Sequence, residues 1–162
     1  MDLDAGLWTI PAGRMKAGRE HRVPLTDAAV ELLRGLPRMQ GIDHVFYAPR
    51  GGALSDMSIS AVMRRMQEAE TKAGRKGWID PRSKRPAVPH GLRSTFRDWA
   101  AERTEYPREM AEISLAHNVG SEVERAYRRG DMLEKRRAMM AAWGRFLRGE
   151  TGAKVVQMGA RG

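Results

Sequence analysis

Cysteine is absent from the sequence, which excludes a disulfide framework and any thiolate metal site and is compatible with a reducing compartment. Acidic residues are in short supply. The chain carries 20 Asp and Glu against 29 Lys and Arg, a formal charge of +9 over 162 residues. That imbalance favours a polyanionic partner, because a cationic surface gains affinity for phosphate backbones by releasing counterions; charge alone does not separate DNA, RNA and anionic lipid. Long apolar runs are also lacking: nothing approaches the roughly 18 residues of a membrane-spanning helix. The acidic start Met1-Asp2-Leu3-Asp4 lacks the apolar core of a secretion signal. A soluble, cytoplasmic chain with no membrane partner is expected. With 41% hydrophobic and 30% charged residues, the composition is that of a globular domain, and the length suits one core.

Leu7-Trp8-Thr9-Ile10-Pro11 and Arg19-Glu20-His21-Arg22-Val23-Pro24-Leu25 are short β-compatible segments separated by a stretch with turn glycines, Gly13 and Gly18, at its ends. They predict a hairpin. Thr26 is positioned to cap a helix whose apolar face is Ala29, Val30, Leu32, Leu33 and Leu36, interrupted by Pro37. Val45-Phe46-Tyr47 reads as a short third strand, and residues 58–73 as a helix with Val62, Met66 and Ala69 along one stripe. Residues 74–89, rich in Gly, Pro, Lys and Arg, read as a basic loop, with Trp78 as an anchor. Helices are expected next at 90–103, 107–115 and 121–129, the last opened by the capping pattern Ser121-Glu122-Val123-Glu124. A final helix, capped by Asp131, repeats Met132, Arg136, Met139, Met140, Trp143 and Leu147 at helical spacing. The eleven methionines are read as core filling.

At about 100° per residue, His90, Arg93 and Arg97 share one sector of their helix, while Leu92, Phe96 and Trp99 occupy another. A His and an Arg three residues apart reach one anionic group, and the planar arginine fork holds two phosphate oxygens at once. Alone, this pairing describes a solvated helix face equally well. It gains meaning from two motifs further along the chain: Leu115-Ala116-His117, and then Ala126-Tyr127-Arg128-Arg129 with Tyr127 ten residues beyond His117. A phenol of pKa about 10 needs positive charge or a base nearby to attack at neutral pH. Arg93, Arg125, Arg128 and Arg129 supply that charge. Attack on a phosphodiester further needs donors for the non-bridging oxygens and a proton for the leaving oxygen.

Pro89-His90-Gly91-Leu92-Arg93, Leu115-Ala116-His117 and Ala126-Tyr127-Arg128-Arg129 resemble the C-terminal boxes of the phage integrases, which are tyrosine recombinases. Arg14-Met15-Lys16 followed by Arg19 to Leu25 resembles the hairpin of the prophage integrase branch. The resemblance implies a mainly α fold with a small antiparallel hairpin or three-stranded sheet, of the α+β class. It implies that Tyr127 attacks the scissile phosphate to form a 3′-phosphotyrosyl bond, Arg93 and His117 contact non-bridging oxygens, Lys16 protonates the leaving 5′-oxygen, and His90 assists as acid or base. No cofactor or metal is implied. The partners would be double-stranded DNA attachment sites and three further copies of the protein, with the final helix either passed to a neighbour or folded back on its own domain. The family pattern also carries an arginine upstream of the hairpin, to which no residue here corresponds. Residues 1–148 are therefore expected to be a partial catalytic domain, N-terminally truncated and slow or inactive alone, and residues 149–162 a flexible tail. The alternative is a catalytically inactive DNA-binding remnant of an integrase; a type IB topoisomerase relative fits the hairpin and the box spacing less well. DNA contacts are expected from Arg97, Arg128 and Arg129, and from Arg82, Lys84 and Arg85 in the basic loop, where a solvated charge run is the competing explanation. His21 and His44 match no box.

Overall fold

The computed structural model of the chain describes residues 1–121 and 130–150. In chain order its elements are β1 (Leu7–Ile10), β2 (His21–Pro24), α1 (Asp27–Gly35), α2 (Ser58–Lys72), α3 (Pro89–Arg103), α4 (Arg108–Ser114) and α5 (Leu133–Leu147), with a 3-10 turn at Ala12–Arg14 between the strands. The chain divides into two compact units, Met1–Glu31 with Arg128–Gly162 in one and Leu32–Tyr127 in the other. The predicted class, mainly helical with a small antiparallel sheet, is what the described residues form. None of their helices is long and apolar enough to cross a membrane.

In the first unit, β1 and β2 pair antiparallel from Leu7 opposite Pro24 to Ile10 opposite His21, and β2 packs against α5. Thr26 caps α1 as predicted, its Oγ1 accepting the Ala29 amide at 3.1 Å. Pro24, Arg136 and Met139 are fully buried there; removing a side chain such as Met139 from water contributes roughly 1.5–3 kcal/mol. A Cβ at Gly144 would come within 3.1 Å of Thr26 Cγ2, so glycine is what permits this approach. Arg136 falls on the stripe expected to pack, and its charge is satisfied rather than expelled. Its Nη2 donates to the Arg22 carbonyl at 2.7 Å and its Nη1 lies 3.6 Å from Asp131 Oδ2. Arg22 in turn grips both Asp131 oxygens, through Nε at 3.0 Å and Nη2 at 2.7 Å. Burial pushes the Asp131 carboxyl up, but the Arg22 hydrogen bonds and the charges of Arg22 and Arg136 outweigh it and hold it below its usual range. Asp131 stands one residue outside the position predicted for the cap, with Met132 at φ +56° between it and the helix, yet its Oδ1 still accepts the Leu133 amide at 3.2 Å.

In the second unit, α3 packs against α4 and α2. Phe96, Trp99 and Ala100 on α3 and Met110 and Ala111 on α4 are buried, with the Phe96 and Trp99 rings tilted at 5.9 Å between centroids.

Three expectations are corrected. The third strand is a single bridge, Tyr47 opposite Ala53, because Gly51 and Gly52, both at positive φ, reverse the chain before a ladder extends. The α2 stripe of Val62, Met66 and Ala69 is exposed, and Ala61, Met63 and Gln67 form its half-buried side. Leu92, at the opening turn of α3, is 60% exposed, and Leu147, at the last turn of α5, is 62% exposed; helical periodicity does not say where along a helix its cover ends. The helix expected at 121–129 lies outside the described residues beyond Ser121.

Candidate functional site

The opening of α3 is set by Val88, which is extended, and Pro89, whose ring supplies the first helical φ without wasting an N–H. His90 is exposed in that first turn, where unpaired amides and the helix dipole favour an anion. One turn on, the exposed Arg93 reaches across to the end of α4. Its Nη2 donates to the Leu115 carbonyl at 2.7 Å and lies 2.9 Å from His117 Nε2.

That meeting depends on how α4 stops. Ala116 adopts φ +57°, the left-handed conformation that ends helices and usually falls to glycine. The reversal lets Ala116 N donate to Ile113 O and brings His117 N back to Glu112 O, both at 2.9 Å. The Leu115 carbonyl and the His117 ring are thereby turned together toward Arg93. The Leu-Ala-His motif is thus a helix stop that aims an imidazole.

Behind His117 stands Glu112, 14% exposed, its Oε2 2.6 Å from Nδ1. Arg97 Nε lies 2.9 Å and Arg108 Nε 3.8 Å from its Oε1. The Arg97 N–H is out of line, so this contact is an ion pair and Oε1 accepts no hydrogen bond. The His117 hydrogen bond holds the Glu112 carboxyl below its usual range; partial burial opposes this, and the charges of Arg97, His117 and Arg108 add to it. The structure brings the predicted Arg93, Arg97 and His117 together with Glu112, which sequence reasoning did not single out. Its signal was an acid five residues before the histidine on a helix that ends between them.

The basic loop is more ordered than its composition suggested. Asp80 N donates to Arg85 O at 2.9 Å, Lys84 N to Asp80 O at 3.0 Å and Ala87 N to Trp78 O at 2.9 Å, which makes a hairpin tip exposing Arg82, Lys84 and Arg85. Hydrogen bonds from the Ser83 backbone and side chain keep the Asp80 carboxyl below its usual range. The anchor is Gln67 of α2, whose Oε1 accepts Trp78 N at 2.8 Å and whose Nε2 donates to Lys76 O at 3.0 Å; the Trp78 ring is itself exposed. Gly77 makes room, since at φ +67° its Cβ would collide with the Gln67 amide.

Lys16 is exposed in the turn between β1 and β2, in the first unit. His90, Arg93 and His117 belong to the second. Tyr127, Arg128 and Arg129 lie outside the described residues. Among the described residues no group of three or more His, Asp or Glu is placed to hold a metal ion. His21 is the last pairing residue of the hairpin, opposite Ile10.

The sequence matches known proteins over most of its length. The model of the phage integrase family matches residues 1–134. The prophage integrase IntA of Escherichia coli (strain K12) is 32% identical over 159 residues, which cover 96% of this chain and 35% of that protein. The prophage integrase IntZ of the same strain is 34% identical over 140 residues, 86% of this chain and 31% of the relative. The integrase of Shigella phage Sf6 is 28% identical over 148 residues, 91% and 35%. The chain thus spans about a third of the length of the curated relatives it matches. No solved structure matches it significantly.

Proposed function

Because this chain belongs to the phage integrase family, we propose that it carries the strand-exchange chemistry of a site-specific tyrosine recombinase acting on double-stranded attachment sites of a prophage or other mobile element. The observation that carries this reading is the meeting of Arg93 with His117 across the ends of α3 and α4, which gathers a guanidinium and an imidazole where a phosphate would sit. Tyr127 is the nucleophile. Its oxygen bonds to phosphorus as the bond to the 5′-oxygen breaks, and the phosphotyrosyl ester conserves the energy that the freed 5′-hydroxyl of the partner strand later uses. Arg93 and His117 hold the non-bridging oxygens, His90 relays a proton beside them, and Lys16 donates a proton to the leaving oxygen. Arg82, Lys84, Arg85, Arg128 and Arg129 contact backbone phosphates; Arg97, with its Nε committed to Glu112, joins them through its terminal nitrogens. Four protomers on two DNA sites complete the exchange.

A nicked duplex that traps the cleaved strand tests this directly. The expected result is a covalent protein–DNA adduct, stable to denaturation, that Tyr127→Phe abolishes. Salt-sensitive binding without any adduct assigns the chain instead to a DNA-binding remnant, and an adduct that survives Tyr127→Phe removes the nucleophile from Tyr127.

A further inference from the structure

Glu112 makes a demand on His117 that phosphate binding alone leaves unexplained. A deprotonated carboxylate only accepts, so the proton in the 2.6 Å contact between Oε2 and Nδ1 belongs to the imidazole. Arg93 has no lone pair, so its 2.9 Å contact with Nε2 requires that nitrogen to be bare. The donors therefore run in one direction, from Arg93 to His117 to Glu112, and the ring is held in the Nδ1–H form. Three further features fix Glu112 itself: it is 14% exposed, its own carbonyl accepts the His117 amide at 2.9 Å, and Arg97 and Arg108 flank its second oxygen.

We infer that Glu112 is a positioning residue for the phosphate site: it keeps a proton on His117 Nδ1 and leaves Nε2, beside Arg93, as the ring nitrogen that faces the anion. The inference rests on the reading of Arg93 and His117 as phosphate ligands. A non-bridging oxygen only accepts, so contact through Nε2 uses the doubly protonated ring. Glu112 then retains the Nδ1 proton and balances the imidazolium charge.

Long-range proton–nitrogen NMR of the imidazoles in the ¹⁵N-labelled full chain reads the tautomer. The unaltered chain shows His117 with Nδ1 protonated and Nε2 bare at alkaline pH. Glu112→Gln, whose amide oxygen still accepts, keeps that pattern; Glu112→Ala moves the proton to Nε2, with Arg93 giving up that contact and keeping the Leu115 carbonyl, and weakens binding of orthovanadate, a phosphate mimic, by roughly tenfold, the loss of one charge-assisted hydrogen bond. Glu112→Asp, which keeps the charge but loses the reach, gives the same switch and serves if the alanine variant does not fold. Arg97→Gln, which breaks the ion pair alone, leaves the tautomer as it was. If orthovanadate shifts the Arg93 and His117 signals while the Ala and Asp variants keep the Nδ1–H ring, the positioning role of Glu112 is overturned and the phosphate reading stands. If orthovanadate shifts neither residue in the unaltered chain, the phosphate reading fails and the inference with it.

Discussion

Ala116 occupies a backbone conformation that costs an L-residue about 1–2 kcal/mol, and it does so at the point where the chain must turn to bring His117 back over Glu112. Replacing it by glycine removes that strain but adds chain entropy to the unfolded state, worth about 0.5–1 kcal/mol in the other direction. Ala116→Gly is therefore expected to shift unfolding free energy by less than about 1 kcal/mol. Ala116→Val, β-branched at positive φ, is expected to cost about 2 kcal/mol or more and to release Arg93 from the Leu115 carbonyl. Urea unfolding measures both, and a valine variant as stable as the parent would remove the strain argument. Arg93 and His117, which meet in the fold, could be singled out in the sequence because each lies in a short motif. Glu112 could not, because its contact with His117 exists only once the helix stops at Ser114 and the left-handed residue reverses the chain.

At the scale of elements, β2 and α5 are joined by a charged cluster rather than by apolar contact alone. Removing the carboxylate of Asp131 takes away the acid that the fully buried Arg136 shares with Arg22. Asp131→Ala is expected to cost about 2–3 kcal/mol, less than a fully buried pair because Asp131 keeps 30% of its side-chain surface in water. Arg136→Met, close in volume and uncharged, should cost less, as judged by thermal unfolding; a methionine variant weaker than the alanine one would show that the pair itself stabilises the joint. The folded Asp131 carboxyl lies below its usual value of 3.8, so its contribution is complete above that value and lost as pH falls through the folded one. Asp131→Asn should flatten that acid limb. Caps explain why helix limits were readable to within a residue or two: Thr26 acts where its side chain suggested and Asp131 one residue outside it, while Pro89, read as the end of the basic loop, opens α3. The third strand misled because a β-compatible triplet says nothing about whether a partner is available.

For the whole molecule, the formal charge of +9 becomes useful only where structure gathers it. The hairpin latched by Gln67 holds three cations on one tip, and if they contact DNA each adds about 0.9 to the slope of log affinity against log salt. Replacing Arg82, Lys84 and Arg85 by alanine should make that slope shallower by about 2–3. Gln67→Ala, which loosens the latch and keeps the charges, should lower affinity while changing the slope by less than about 1. Fluorescence anisotropy across a salt series separates the two, and an unchanged slope in the triple variant would leave the tip as a solvated charge run. The division into two units was not readable from the sequence at all, because it is defined by contacts such as Arg22 with Asp131, 109 residues apart.

Those distant contacts impose an order on biosynthesis. The second unit is one uninterrupted stretch, Leu32–Tyr127, whereas the first is assembled from both flanks of it. On the ribosome, the β1–β2 hairpin emerges before Leu32–Tyr127 but must wait for Asp131, Arg136 and Met139 before β2 can pack on α5. The stretch bearing Arg93, Glu112 and His117 is complete earlier and is able to fold while translation continues. A hairpin made before the second unit therefore closes after it.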